Sequence, residues 1–365
     1  MTGARILVSG MGGELGSLVA KHLEAESWVD AIVGLDLDPP RRRLRRSEFH
    51  LVDPHDRRRT AALVRATDPT VILHAGVYEP GARANSGGAA HRSADSASAI
   101  LGQVPALASL RGIVVRSGIE VYGRAPSSPS RPDESSPRDP TSTFGRILAD
   151  VEQRAEIAGR AASVPVALVR LAPVIGPHVP SPLGRLLRLP VVPFDPFRSA
   201  EFGVVHLDDA AAALVAAARL AVDGAVNVIG SGTVTPWRAA RIGGRPALPV
   251  VGPGWWPTRH AAHLLGAPMP DHVVELLTRG RRADGARAAA LGLAPRRSTV
   301  DAVRALYAWE SVTHLRPTPD AVPVRGPLAA VVPVRVEEPG IDTAPTAATA
   351  TTAVGRRGRL RVVAS

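Results

Sequence analysis

The stretch Ile6-Leu-Val-Ser-Gly-Met-Gly-Gly-Glu-Leu-Gly16 constrains the fold more than any other part of this chain. An apolar strand runs into Gly10-x-x-Gly13-x-x-Gly16, and Leu15, Leu18, Val19, His22 and Leu23 follow at helical spacing. The first glycine permits a tight turn. The second lets backbone amides approach a pyrophosphate, and the third lets the helix lie close on the strand. A second strand, Ala31–Leu35, ends on the acid Asp36 about 20 residues further on. Strand, glycine spacing, helix and acid together predict a dinucleotide-binding α/β domain.

Further along, β-rich runs alternate with helical patterns. Strands are expected at 5–8, 31–35, 48–52, 70–73, 112–116, 166–170 and 225–229. Helices are expected at 14–25, 57–67, 91–110, 142–162 and 208–222. This alternation predicts a Rossmann-type, doubly wound parallel sheet covered on both faces. The expected organisation is a dinucleotide-binding domain over 1–176, to which 201–231 return. Residues 177–200, proline-rich and read as loop, join 232–312 in a smaller, mostly helical substrate subdomain. Residues 313–365 are Pro/Ala/Thr-rich without an aromatic side chain, and read as a disordered tail.

Composition narrows the chemistry. The 365 residues contain no cysteine, which excludes disulfides, thiolate metal sites and cysteine nucleophiles. The net charge of +11 is almost all arginine, for Lys21 is the only lysine. The arginines are scattered and aromatics are scarce, so no surface for stacking bases and no specific nucleic-acid partner is expected. No metal site is expected either, because the histidines form no His-x-x-x-His pair and no carboxylate cluster accompanies them. No apolar run is long enough to cross a bilayer, and the strand at the start leaves no room for a signal peptide. The expected location is cytoplasmic.

Several segments together resemble the extended short-chain dehydrogenase/reductases, the NAD-dependent epimerase/dehydratase group that includes UDP-glucose 4-epimerase. They are the glycine loop, Thr70–Gly76, Ile113–Gly123, Val169–Pro177 and Val204–Asp209. The resemblance covers roughly residues 4–312. It implies that Gly10, Gly13, Glu14, Leu15 and Gly16 form the phosphate loop. It places Asp36 on the adenosine ribose, favouring NAD over NADP. Asp53 and Pro54 stand where the family contacts adenine. His74, Ala75 and Gly76 stand where it packs on the dinucleotide, and Asp95 where an Asn is usual.

The family's proton-transfer residues are absent. It uses a Tyr-x-x-x-Lys pair and a nearby Ser or Thr. Here Phe144 stands at the tyrosine position, Leu148 at the lysine position and Gly118 at the Ser/Thr position. Ser117, one residue away, would point to the other side of an extended strand, but it is kept among the expected cofactor-binding residues, which it joins if the backbone bends there. Candidate surrogates are Tyr78, Glu120 and His91. Two readings follow: a dinucleotide binder without the family's reaction, or an epimerase, dehydratase or oxidoreductase with a displaced acid/base such as Tyr78. The resemblance also implies a nucleotide-sugar substrate and a homodimer built on the helices at 91–110 and 142–162; Ala97, Ile100, Leu101, Val104 and Leu107 are candidates for that interface or for packing on the sheet. His206 reads as structural, and Asp208 and Asp209 as helix caps. Arg185 and Arg188 are candidate phosphate ligands or solvated side chains.

Overall fold

A computed structural model of the chain describes residues 3–308 except 54, 83 and 199, together with a two-residue strand at Val362–Val363 beside the sheet edge. Pro54 and most of the expected tail lie outside the described residues.

Seven strands form the parallel sheet: β1 (Ala4–Ser9), β2 (Val29–Asp36), β3 (Ser47–Leu51), β4 (Val71–His74), β5 (Gly112–Gly118), β6 (Val166–Leu171) and β7 (Gly224–Val228). Their spatial order is β7-β6-β5-β4-β1-β2-β3, each pair parallel. Strands β4 and β6 are buried along their whole length, as continuous apolar runs covered on both faces must be. The chain leaves β1 for β2 and β3 on one side, then crosses back to β4 on the other. A doubly wound sheet binds ligands at such a switch point, outside the carboxyl ends of its strands.

Helices α1 (Glu14–Glu24), α2 (Arg57–Thr67), α3 (Ser86–Leu101) and α4 (Thr143–Ala162) belong to this half. Helix α3 begins and ends earlier than its expected span of 91–110. Asn85 caps it by accepting the Gly88 amide at 2.8 Å, and it ends at Gly102 before a short turn containing Pro105. Ala97, Ile100, Leu101, Val104 and Leu107 are all buried within this single chain.

The remaining helices are α5 (Pro182–Leu187), α6 (Leu207–Arg219), α7 (Pro236–Ile242), α8 (Trp255–Leu264), α9 (Asp271–Arg279), α10 (Ala286–Ala290) and α11 (Thr299–Ala308). Helix α6 returns to the sheet. A second apolar cluster joins Leu183, Leu186, Val192, Phe202, Leu276 and Leu306, apart from the core beneath the sheet. The segment 177–200 is thus less loop-like than its prolines imply. Pro182 starts a short helix whose leucines anchor the second cluster, and Val192–Phe194 pairs with Ala247–Pro249. Among the described residues, no helix is long and apolar enough to cross a membrane.

Candidate functional site

A cleft of about 280 Å³ opens at the carboxyl ends of β1 and β4. Gly10 turns there with φ +75°, and a Cβ on it would lie 2.6 Å from the Gly76 nitrogen. The two loops therefore meet backbone to backbone. A Cβ on Gly16 would lie 2.0 Å from the Gly10 carbonyl oxygen, so α1 is pressed onto the turn itself. Gly13 differs. It caps α1 without a side-chain hydrogen bond, and its Cβ would meet nothing nearer than 3.4 Å. The free first-turn amides of α1 thus open onto the cleft beneath an uncovered backbone.

Gly10, Gly13, Glu14, Leu15 and Gly16 line the cleft, as do Asp36, Ala75, Gly76 and Tyr78. Asp36 accepts the Gly12 amide at 2.8 Å and the Leu37 amide at 2.6 Å. Burial raises its pKa, against the pull of these amides. Gly12 is a glycine that the spacing argument missed. A Cβ there would lie 2.0 Å from the Asp38 carbonyl oxygen. Glu14 sits between Arg41 and Arg42, at 4.0 and 3.9 Å, which ties up the basic run after β2.

Other expected residues are employed elsewhere. His74 is wholly buried, its Nδ1 2.6 Å from the Ser9 hydroxyl. Asp53 is exposed and accepts the His55 amide, as a turn former does. Asp95 is paired with Arg57 and His55, bracing α3 against α2. Neither aspartate lines the cleft. His206 caps α6 by accepting the Asp208 amide, and its Nδ1 also meets Arg297. Arg185 and Arg188 donate to the carbonyls of Ala82 and Pro177.

The packing around Gly118, Phe144 and Leu148 is close. Gly145, where a Cβ would lie 2.5 Å from the Glu120 carbonyl oxygen, lets α4 rest directly on the turn after β5. That contact sets Phe144 and Leu148, both buried, beside β5. A side chain at Gly118 would collide with the Glu120 carboxylate and Leu148. Ser117 points the other way, as strand alternation requires, and donates to Glu152 at 2.5 Å. Among the surrogates, His91 is exposed and does not line the cleft. Tyr78 stands in the wall under Arg92, its guanidinium 5.9 Å from the ring centre. Burial and then Asp36 push the Tyr78 pKa up, opposite to the tuning a proton-exchanging tyrosine needs.

Behind Phe144 lies a charged cluster that the sequence did not announce. The His272 ring is 5.1 Å from the Phe144 ring, and its Nε2 is 3.1 Å from the Glu79 carboxylate. Glu120, buried, lies on its other side, and its pKa is raised by that burial. The Arg116 guanidinium lies 5.6 Å from the Phe144 centroid and donates to the Val77 carbonyl at 2.6 Å. Burial alone would lower the His272 pKa, but Asp271, Glu79 and Glu120 outweigh it and raise it to about 9. The opposite holds for His74, which burial, with Arg116 adding, lowers to about 4.

These two histidines give stability a maximum near neutrality. The unfolded chain protonates near 6.5 at both positions. Between pH 6.5 and 9 only the folded chain holds the His272 proton, so stability falls as pH rises. Between pH 6.5 and 4 only the unfolded chain gains the His74 proton, so stability falls as pH drops. Each limb is expected to cost about 3 kcal/mol. Urea titrations across this range check it, and His272→Gln is expected to flatten the alkaline limb alone.

Among the described residues, no group of His, Asp or Glu is placed to hold a metal ion. Comparison with known proteins gives this site a context. The model of the NAD dependent epimerase/dehydratase family matches residues 6–230. The chain belongs to that family. Uncharacterized proteins of Mycobacterium tuberculosis and Mycobacterium bovis are 30% identical to this family member over 326 residues, covering 85% of each chain. Among solved structures, the UDP-glucose 4-epimerase of Thermotoga maritima with UDP-glucose superposes with a TM-score of 0.65 at 17% identity. It covers 83% of this chain and 97% of that one. The UDP-glucuronic acid 4-epimerase of Bacillus cereus in complex with NAD gives 0.63 at 18% identity, with the same coverage. The dTDP-glucose 4,6-dehydratase of Bacillus anthracis, also with NAD, gives 0.63 at 16%, covering 84% and 96%. These likenesses establish the epimerase/dehydratase fold for this chain.

Proposed function

We propose that this chain is an NAD-binding member of the epimerase/dehydratase family that has given up the family's tyrosine–lysine proton transfer. The observation that carries the reading is a contrast within one site. The glycine cradle over α1 is open and lined by bare backbone, while Phe144 and Leu148 fill the proton-transfer positions with apolar groups. The residues present fit a dinucleotide. The amides at the start of α1 would hold the pyrophosphate, Asp36 the adenosine ribose, and Ala75 and Gly76 would pack against it. An acid at position 36 repels a 2′-phosphate and so favours NAD over NADP. The NAD complexes of the Bacillus enzymes support the cofactor, and the UDP-glucose complex from Thermotoga supports a nucleotide sugar as the second ligand.

Calorimetric titration of the purified chain tests this. NAD is expected to bind with micromolar affinity and NADP at least about tenfold more weakly. Failure to bind either dinucleotide would overturn the reading. A second reading, in which a displaced group restores proton transfer, is favoured by one specific observation: the charged cluster around His272.

A further inference from the structure

We propose that Glu79, held by His272, is the proton-exchanging group of this cleft, and that His272 and Arg116 supply the positive charge that Leu148 cannot. The inference rests on the reading that the cleft holds NAD.

Two spaces share Glu79, Arg116 and Val174 in their walls. One is the dinucleotide cleft, and the other is a small void of about 20 Å³ beside the Phe144 ring. Glu79 and Arg116 are the charged residues, among those described, that border both. Glu79 therefore spans from the buried cluster to the open cleft, with its side chain 19% exposed. Its sequence neighbour Tyr78 also borders the cleft, but leans toward Arg92 and the Asp36 side. Glu79 lines the cleft together with Arg116 and Val174, which also border the small void.

The supporting groups come from three elements. His272, near the start of α9, faces Glu79 from the loop after β4 and Glu120 from the turn after β5. Asp271, its neighbour on α9, lies 3.7 Å from Nδ1 and is itself fixed by the Thr143 amide and hydroxyl at 2.6 and 2.7 Å. Arg281, fully buried, faces Glu120 from beyond and is paired to Glu275 at 2.5 Å. Three carboxylates around one imidazole keep it cationic, so it holds Glu79 by charge as well as by hydrogen bond. A cation beside the acid/base is what the family obtains from lysine. Here it arrives from the opposite wall, while Phe144 contributes only a ring against which both cations rest.

When bound, NAD would supply the hydride acceptor for oxidation of a secondary alcohol, and Glu79 would take the hydroxyl proton. In that step the substrate's C–H bond breaks with both electrons going to the dinucleotide. Its O–H bond breaks with the proton going to the Glu79 carboxylate, and a C=O double bond forms. In the reverse direction protonated Glu79 returns the proton to the oxygen.

The isosteric change Glu79→Gln keeps an acceptor for His272 but takes no proton. With NAD bound, wild type is expected to form reduced dinucleotide on addition of UDP-glucose, UDP-glucuronic acid or dTDP-glucose. Glu79→Gln is expected to slow this by about 100-fold or more while binding NAD within about twofold of wild type. A readout independent of turnover is nitrogen-15 histidine NMR of the protein without ligand. His272 is expected to titrate near 9, and lower in Glu79→Gln. The proposal is overturned if Glu79→Gln reduces NAD at the wild-type rate, if wild type binds NAD but none of the three sugars reduces it, or if His272 is neutral at pH 7. Absence of NAD binding by wild type would sink the underlying reading as well, so the two failures are told apart by the titration.

Discussion

Gly16→Ala is expected to cost about 3 kcal/mol of stability and to lower affinity for NAD at least about 100-fold, whereas Gly13→Ala is expected to spare the fold and damage binding. The two glycines stand one helical turn apart and look interchangeable in the motif. Their surroundings differ. A methyl group at position 16 would sit 2.0 Å from the Gly10 carbonyl oxygen and under 3 Å from the Met11 backbone. No side chain there can swing away, so α1 itself must retreat from β1. That movement displaces the first-turn amides and distorts the turn at Gly10. At position 13 the same methyl meets only an ordinary contact at 3.4 Å within the protein, and projects where a pyrophosphate would lie. Urea denaturation and NAD calorimetry on both variants separate packing from ligand approach. Equal loss of stability in the two variants would refute this division of labour.

The second large effect concerns a charge network on the far side of β5. Arg170, nearly inaccessible, donates to the Glu152 carboxylate from Nε at 2.9 Å and Nη2 at 2.8 Å, and from Nη1 to the Tyr122 hydroxyl at 2.9 Å. Glu152 also accepts from Ser117 and Arg138, and the Tyr122 hydroxyl donates to Asn227 at 2.7 Å. Arg170→Ala is expected to destabilise the chain by roughly 3–5 kcal/mol, because it takes the bidentate partner from a wholly buried carboxylate and leaves it only Ser117 and the half-buried Arg138. Replacing both partners with Met is expected to cost less than the sum of the two single changes, since neither charge is then left alone. Chemical denaturation of the three variants measures the coupling. Strict additivity would mean that the pair acts as two independent side chains.

How far the sequence could be read depended on how local each feature is. The glycine turn, the strands of the sheet and the apolar occupants of positions 144 and 148 depend on neighbours within a few residues, and were legible. So was the outward turn of Ser117, which follows from strand alternation alone. The fate of Asp95 and His74 was not. Arg57, His55 and Ser9 hold their side chains, and those partners lie 38, 40 and 65 residues away. The Glu79–His272 contact spans 193 residues, and no spacing rule links the loop after β4 to the start of α9. Asn85 did carry a local signal, as an N-cap residue, that would have placed the start of α3 correctly.

The smaller apolar cluster has a consequence for synthesis. Ile175, Leu183, Leu186 and Phe202 emerge from the ribosome long before Leu276, Val303 and Leu306, their partners in that cluster. Strands β1 to β7 are all present once residue 228 has been made, so the nascent chain carries the main sheet with an oily flank still waiting for its cover. Translation pauses or early termination after that point would release a form prone to clumping, and α11 acts as the clasp that ends this exposure.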